Sequence, residues 1–258
     1  MIGSEPGLRP GEVVEFAAPL DAELRRFAST TEQPSEFTEA LGAVAVPKDF
    51  SPDREWPVLL VSATSDPGYN SSRQLLRQFA APALAAGWIV IAADPPRDVE
   101  AAADTDQLRY ALLAAALNRL QAEWPASRAG RAPSADFPAA PKRSAILGAF
   151  STLLGHPPIG FYQAGCNQAV LRFVLTLPGL PRSQFLATPV FLSSGRQDPI
   201  APSDVMQTVA DDLARAGFGA VKLERFGGGH EVNVPHIEEA LRWFAECAQR
   251  TPAASSRR

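Results

Sequence analysis

Asp198 and His230 of this 258-residue chain stand where an acid and a base could work on one another. Asp198 follows a short apolar run, residues 189–193, that ends in small residues and Gly195, the pattern of a buried parallel strand entering a turn. His230 follows a second strand-like run, residues 221–226, and three glycines. Between the two runs lies an amphipathic stretch that Ser203 can cap and Gly217 can stop. Its apolar positions are Val205, Val209 and Leu213, with Met206 beside them. Each candidate therefore falls just past the carboxyl end of a strand, one strand-helix-strand unit apart, where an open parallel sheet gathers its chemistry. An aspartate so placed can accept the Nδ1 proton of a histidine and leave the other ring nitrogen to act as a base. Each residue also has a plainer reading, since Asp-Pro opens turns and a lone histidine often only packs.

The elements that must hold this pair can be traced along the chain. Residues 13–16 and 41–46 read as strands, with a helical turn over 22–27. The apolar run 57–63 is a buried strand, followed by the turn-rich T-S-D-P-G-Y-N-S-S. Ser71 or Ser72 then caps a helix with Leu75, Leu76, Phe79 and Leu84 on one face, which Pro82 should bend or interrupt and Gly87 ends. W-I-V-I-A-A-D-P is the next strand, which makes a parallel pair with 57–63 through a right-handed crossover. Asp104 or Thr105 opens an Ala-rich helix to about residue 124, with Leu108, Leu112, Leu117 and Leu120 inward. Residues 125–141 break the pattern, and a helix follows over 142–154, stopped by Gly155. Residues 158–162 form a strand, 168–177 a helix, and the last helix, from Pro235, turns Ile237, Leu241 and Phe244 inward.

The composition is that of an ordinary globular protein, 46% hydrophobic and 20% charged, and the length suits one large α/β domain. A net charge of −4 and scattered Lys and Arg argue against nucleic acid or an anionic membrane as the main partner. Two cysteines, Cys166 and Cys247, are too few for a disulfide scaffold. The three histidines are spread along the chain, so neither a metal nor another cofactor is expected. No apolar run reaches membrane-helix length, and the N-terminus lacks the basic and apolar regions of a signal peptide. A soluble protein is expected, cytoplasmic or exported after loss of a signal.

G-R-Q-D-P-I-A-P, then G-G-G-H-E-V, then a closing helix with Trp243 and Phe244, resemble the C-terminal part of an α/β-hydrolase. The resemblance covers most of residues 40–250, is strongest at 57–95 and 188–245, and points to small esterases of the polyhydroxybutyrate-depolymerase or feruloyl-esterase kind. It implies one α/β domain over residues 11–250 with a mostly parallel sheet, helices on both faces and no cap domain, and loose ends at 1–10 and 251–258. It assigns catalytic roles to Asp198, after the seventh strand, and His230, after the eighth. It places Ser65 and Asp66 in the oxyanion-hole loop after the third strand, and Cys166 and Asn167 at the pocket after the sixth. A small molecule, an ester among the candidates, is the implied ligand.

The nucleophile departs from that pattern. The family carries a G-x-S-x-G elbow after the fifth strand. Here that place reads S-A-D-F-P-A-A-P-K, and family members often read G-F-S-G-G-A-K, which sets Pro138 where the serine would stand. Proline has no nucleophile, and its fixed φ cannot take the strained positive φ of an elbow. Pro133 also makes the preceding run a poor central strand, so only a few residues near 132–137 are expected to pair. Cys166 is an alternative but lies only 32 residues before Asp198, leaving no room for an intervening strand; Ser65, Ser134 and Ser144 are others. Two readings stay open. One is a non-catalytic or decayed esterase homologue that binds a small ligand or partner. The other is an active carboxylic-ester hydrolase, serine- or cysteine-type, with an unconventional nucleophile.

Overall fold

A computed structural model describes residues 9–29, 37–51, 53–63, 70–96, 106–123, 131–136, 143–165 and 174–250, with the backbone alone for 123, 131–136 and 143–145. Eight strands form one sheet: β1 (Val13–Pro19), β2 (Glu39–Ala45), β3 (Val58–Ser62), β4 (Ile89–Ala93), β5 (Arg131–Asp136), β6 (Phe161–Ala164), β7 (Val190–Gly195) and β8 (Val221–Phe226). Their order is β1-β2-β4-β3-β5-β6-β7-β8. β2 runs antiparallel to both β1 and β4, and every other pairing is parallel. The helices described are α1 (Ala22–Ala28), α2 (Ser72–Ala85), α3 (Asp106–Glu123), α4 (Arg143–Leu153), α5 (Arg182–Leu186), α6 (Ser203–Ala216) and α7 (Val234–Arg250).

The apolar strands form because both their faces are covered. β4 is buried at every position and β3 at all but Leu60. α2 and α7 pack together on one face, where Leu75, Leu76, Phe79, Ile237, Leu241 and Phe244 join one core layer. On the other face α3 packs against α4 and α1, and a second layer includes Leu108, Leu112, Phe185, Met206 and Leu213. The expected parallel pairing of β3 with β4 is present, with Val58 opposite Ile89 and Ser62 opposite Ala93. Close approach of α7 to β6 requires Gly160: a Cβ there would sit 2.2 Å from Phe244 Cδ1.

Several local expectations are corrected. α2 runs through Pro82 to Ala85, because the proline falls in the last turn, where a single missing donor is tolerated and the ring itself is buried. Ser203 does not cap α6. The cap position is Pro202, and the Ser203 Oγ instead accepts from Arg225 Nε at 3.1 Å. The inward face of α6 is Met206, Val209, Ala210 and Leu213, with Val205 only half-buried. β6 starts at Phe161, three residues later than the sequence suggests; Phe161 N–H is the first to bond, to the Pro189 carbonyl at 2.8 Å.

The short strand expected near 132–137 is a six-residue central strand, β5, between β3 and β6. Val58 pairs with Arg131 and Leu60 with Ser134, so two steps along β3 match three along β5. That single-residue bulge spans Ala132 and Pro133, which removes the proline from the regular ladder that it would otherwise break. The expected helix over 168–177 lies mostly outside the described residues.

Candidate active site

The site is built on the ends of β6, β7 and β8. β7 is buried throughout and ends at Gly195, after which Asp198 N–H bonds back to the Gly195 carbonyl at 3.3 Å. The Asp198 side chain then fixes its own loop: Oδ1 accepts from the N–H groups of Ile200 and Ala201, both at 2.8 Å. Oδ2 accepts from His230 Nδ1 at 2.7 Å. Sequence spacing thus led to two side chains that do meet.

The histidine loop is seated by backbone. Arg196 N–H bonds the Phe226 carbonyl and Gln197 N–H the Gly228 carbonyl, each at 2.9 Å. The contact leaves no room for side chains: a Cβ on Gly195 would lie 2.1 Å from the Gly229 carbonyl oxygen, and one on Gly228 2.4 Å from the Phe226 ring. At the end of β6, Gly165 has φ +58 and approaches the pair from the third side. A Cβ there would be 2.7 Å from His230 Cε1 and 3.2 Å from Asp198 Oδ2. Three glycines on three elements therefore set the position of the imidazole.

The two side chains differ in access, 1% exposed for Asp198 and 14% for His230, so a ligand meets the histidine and not the acid. Burial pushes the Asp198 carboxyl up, but the Ala201 N–H, the His230 ring, the Ile200 N–H and the charge on His230 together hold it below its ordinary value. A carboxylate kept ionised against Nδ1 selects the tautomer that carries its proton there, which makes Nε2 the basic nitrogen. The arrangement can accept a proton and stabilise the resulting imidazolium.

Ser65 and Asp66, and Cys166 and Asn167, lie outside the described residues, as does Pro138. The chain reaches the first pair from Ala63, whose carbonyl accepts a hydrogen bond from Arg109 Nη1, an arginine 3% exposed. It reaches the second directly from Gly165. Among the described residues, no three His, Cys, Asp or Glu side chains gather as a metal site. Sequence reasoning missed Gly165 and Arg109. The A-G-C-N run signalled the first, as glycine at a strand end does; nothing local signals that an arginine on α3 reaches β3.

The fold is similar to those of several solved structures. A fungal esterase from Rhizomucor miehei superposes with a TM-score of 0.61 at 14% identity, over 94% of this chain and 86% of that one. A ferulic acid esterase gives 0.57 at 12%, over 92% and 98%. A thermostable esterase gives 0.59 at 16%, over 91% of this chain but only 62% of its own length. The chain has the α/β-hydrolase fold. No protein-family model matches the sequence, and no curated protein matches it. No helix among the described residues is long and apolar enough to cross a membrane.

Proposed function

We propose that this α/β-hydrolase chain is an esterase homologue that keeps the acid-histidine half of a triad, lacks the serine, and binds a small molecule, such as an ester, without cutting it. One observation carries the reading. β5 closes at Asp136 and α4 opens at Arg143, and the intervening F-P-A-A-P-K holds no hydroxyl, thiol or carboxylate. The elbow of the fold must fall in that connection, so the reacting group is missing from its usual place. The esterases that superpose on the chain suggest the ligand class, and the His230 ring, held by Asp198, offers that ligand a hydrogen-bonding group. Triad members act as a unit, and losing the serine costs roughly a millionfold in kcat.

A second reading is favoured by the 2.7 Å Asp198–His230 bond itself, which an active carboxylic-ester hydrolase would need. Its nucleophile would come from another element, with Cys166 the candidate next in sequence to Gly165.

The test treats the purified chain with a fluorophosphonate probe and p-nitrophenyl esters. The expected result is no labelling and negligible turnover, at most roughly 10³–10⁴ over the uncatalysed rate. A second sample carries Pro138→Ser, Ala139→Gly, Ala140→Gly and Pro141→Ala together, and gain of ester hydrolysis is expected there. Stoichiometric labelling of the unaltered chain would overturn the proposal, and an adduct on Cys166 would establish the second reading.

A further inference from the structure

Between α1, α3 and α4, over the side chain of Leu60 on β3, lies a cavity of about 150 Å³ that the acid-histidine site does not use. It is on the far side of the fold. His156 and Pro158, which border it, precede β6, whereas Gly165 past the other end of β6 touches His230. Its walls are mainly apolar, with Leu24 and Phe27 from α1, Leu113 and Leu117 from α3 and Leu147 from α4, while Asn118 and Ser151 bring polar side chains to it. Its border carries Asp21 and Glu23, both exposed, and no Lys or Arg among the described residues.

A cavity of this size and lining takes a single aromatic ring. The carboxylates then select among ring compounds. Asp21 Oδ1 caps α1, accepting from Leu24 N–H at 2.8 Å, so the aspartate is held in place at the cavity's edge and its charge is fixed there. An acid would be repelled by this edge and an ammonium attracted.

We propose that this cavity is a second binding site, for a small aromatic amine whose ring enters between α1, α3 and α4 and whose ammonium faces Asp21 and Glu23. The site is independent of the reading given for His230, and its test involves no turnover.

The experiment titrates benzylamine, benzyl alcohol and benzoate into the isotopically labelled full chain and follows amide shifts by NMR. Benzylamine should bind with a Kd on the order of millimolar, as suits a ligand of this size. The shifts should centre on residues 113–118 and 147–151. Benzyl alcohol should bind about fivefold more weakly and benzoate more weakly still. Asp21→Asn with Glu23→Gln, which keeps the helix cap, should remove the amine's advantage and leave benzyl alcohol unchanged. Ala114→Phe, which fills the space, should abolish both. Failure of benzylamine and benzyl alcohol to bind, shifts centred elsewhere, or binding that survives Ala114→Phe would each overturn the proposal. If that variant does not fold, the shift map of the unaltered chain decides alone. Benzoate binding as tightly as benzylamine would also refute the proposed site.

Discussion

At the scale of single residues, the acid-histidine pair is held by what is absent as much as by what is present. Gly165 adopts a backbone conformation that costs an ordinary residue about 1–2 kcal/mol, and its missing Cβ is what lets the imidazole reach Asp198. Gly165→Ala should therefore lower stability by about 1–3 kcal/mol. It should also push the ring off the carboxylate. The downfield proton resonance of His230 Nδ1–H should be lost, and its persistence unchanged would contradict the packing described. Asp198 and His230 were legible in the sequence because each immediately follows a strand-like run, a local signal. A glycine at a strand end marked the position of Gly165 but not its role, which depends on two residues that follow other strands and that no single window of sequence contains. Ser65, Asp66, Cys166 and Asn167 rested on family resemblance alone, and remain candidates for the pocket.

At the scale of elements, β7 and α7 are joined by a second, deeper pair. Ser193 Oγ lies 2.8 Å from His236 Nδ1, and the His236 ring meets Phe191 and Phe226 edge to face. Burial pushes the His236 pKa below its ordinary value; Glu239 and Glu224 pull it up in part and Lys222 pushes it down. The folded chain thus holds this ring neutral, and the unfolded chain binds a proton near pH 6.5. Its stabilising contribution is full above that pH and is lost as pH falls toward the folded value. The unfolding free energy read from urea titrations should fall between pH 7.5 and 5.5, by at most about 1.4 kcal/mol per pH unit for one proton. His236→Gln should flatten that slope, and an unchanged slope would rule the ring out as its source. Among the elements, β3, β4 and α7 were legible from apolar runs and helical spacing, which follow from burial on known faces. β5 was only partly so. Pro133 argued against a strand, and only the partner strand, through a bulge, shows how it is admitted. The five residues of α5 are too few for a helical period to appear, and Phe185 alone anchors them.

At the scale of the whole molecule, two core layers share one sheet, and neither can persist without the strands that back it. We expect residues 11–250 to unfold as one cooperative unit. Trp56 and Trp88 lie in one layer, with Trp243 packed against it, and so report from β3, β4 and α7. Tryptophan fluorescence and far-UV circular dichroism should give coincident urea transitions. Separated midpoints would divide the chain into more than one unit. The mostly parallel α/β architecture was the most legible property of all, because alternating buried runs and amphipathic stretches admit few other arrangements. The ends of the connections were the least legible, since strained turns follow tertiary contacts rather than composition.

The two amide hydrogen bonds from the acid's turn to the histidine's loop, and the two that Asp198 accepts from Ile200 and Ala201, bear on descent as well as on geometry. Selection for folding alone would favour this aspartate, since replacing it would leave the buried Ala201 amide without its acceptor and free the Ile200 amide beside it. A lineage that ceased to hydrolyse esters would lose its nucleophile freely but shed its acid slowly. The acid is thus a poor witness to present-day chemistry, and the six residues between Asp136 and Arg143 are a better one.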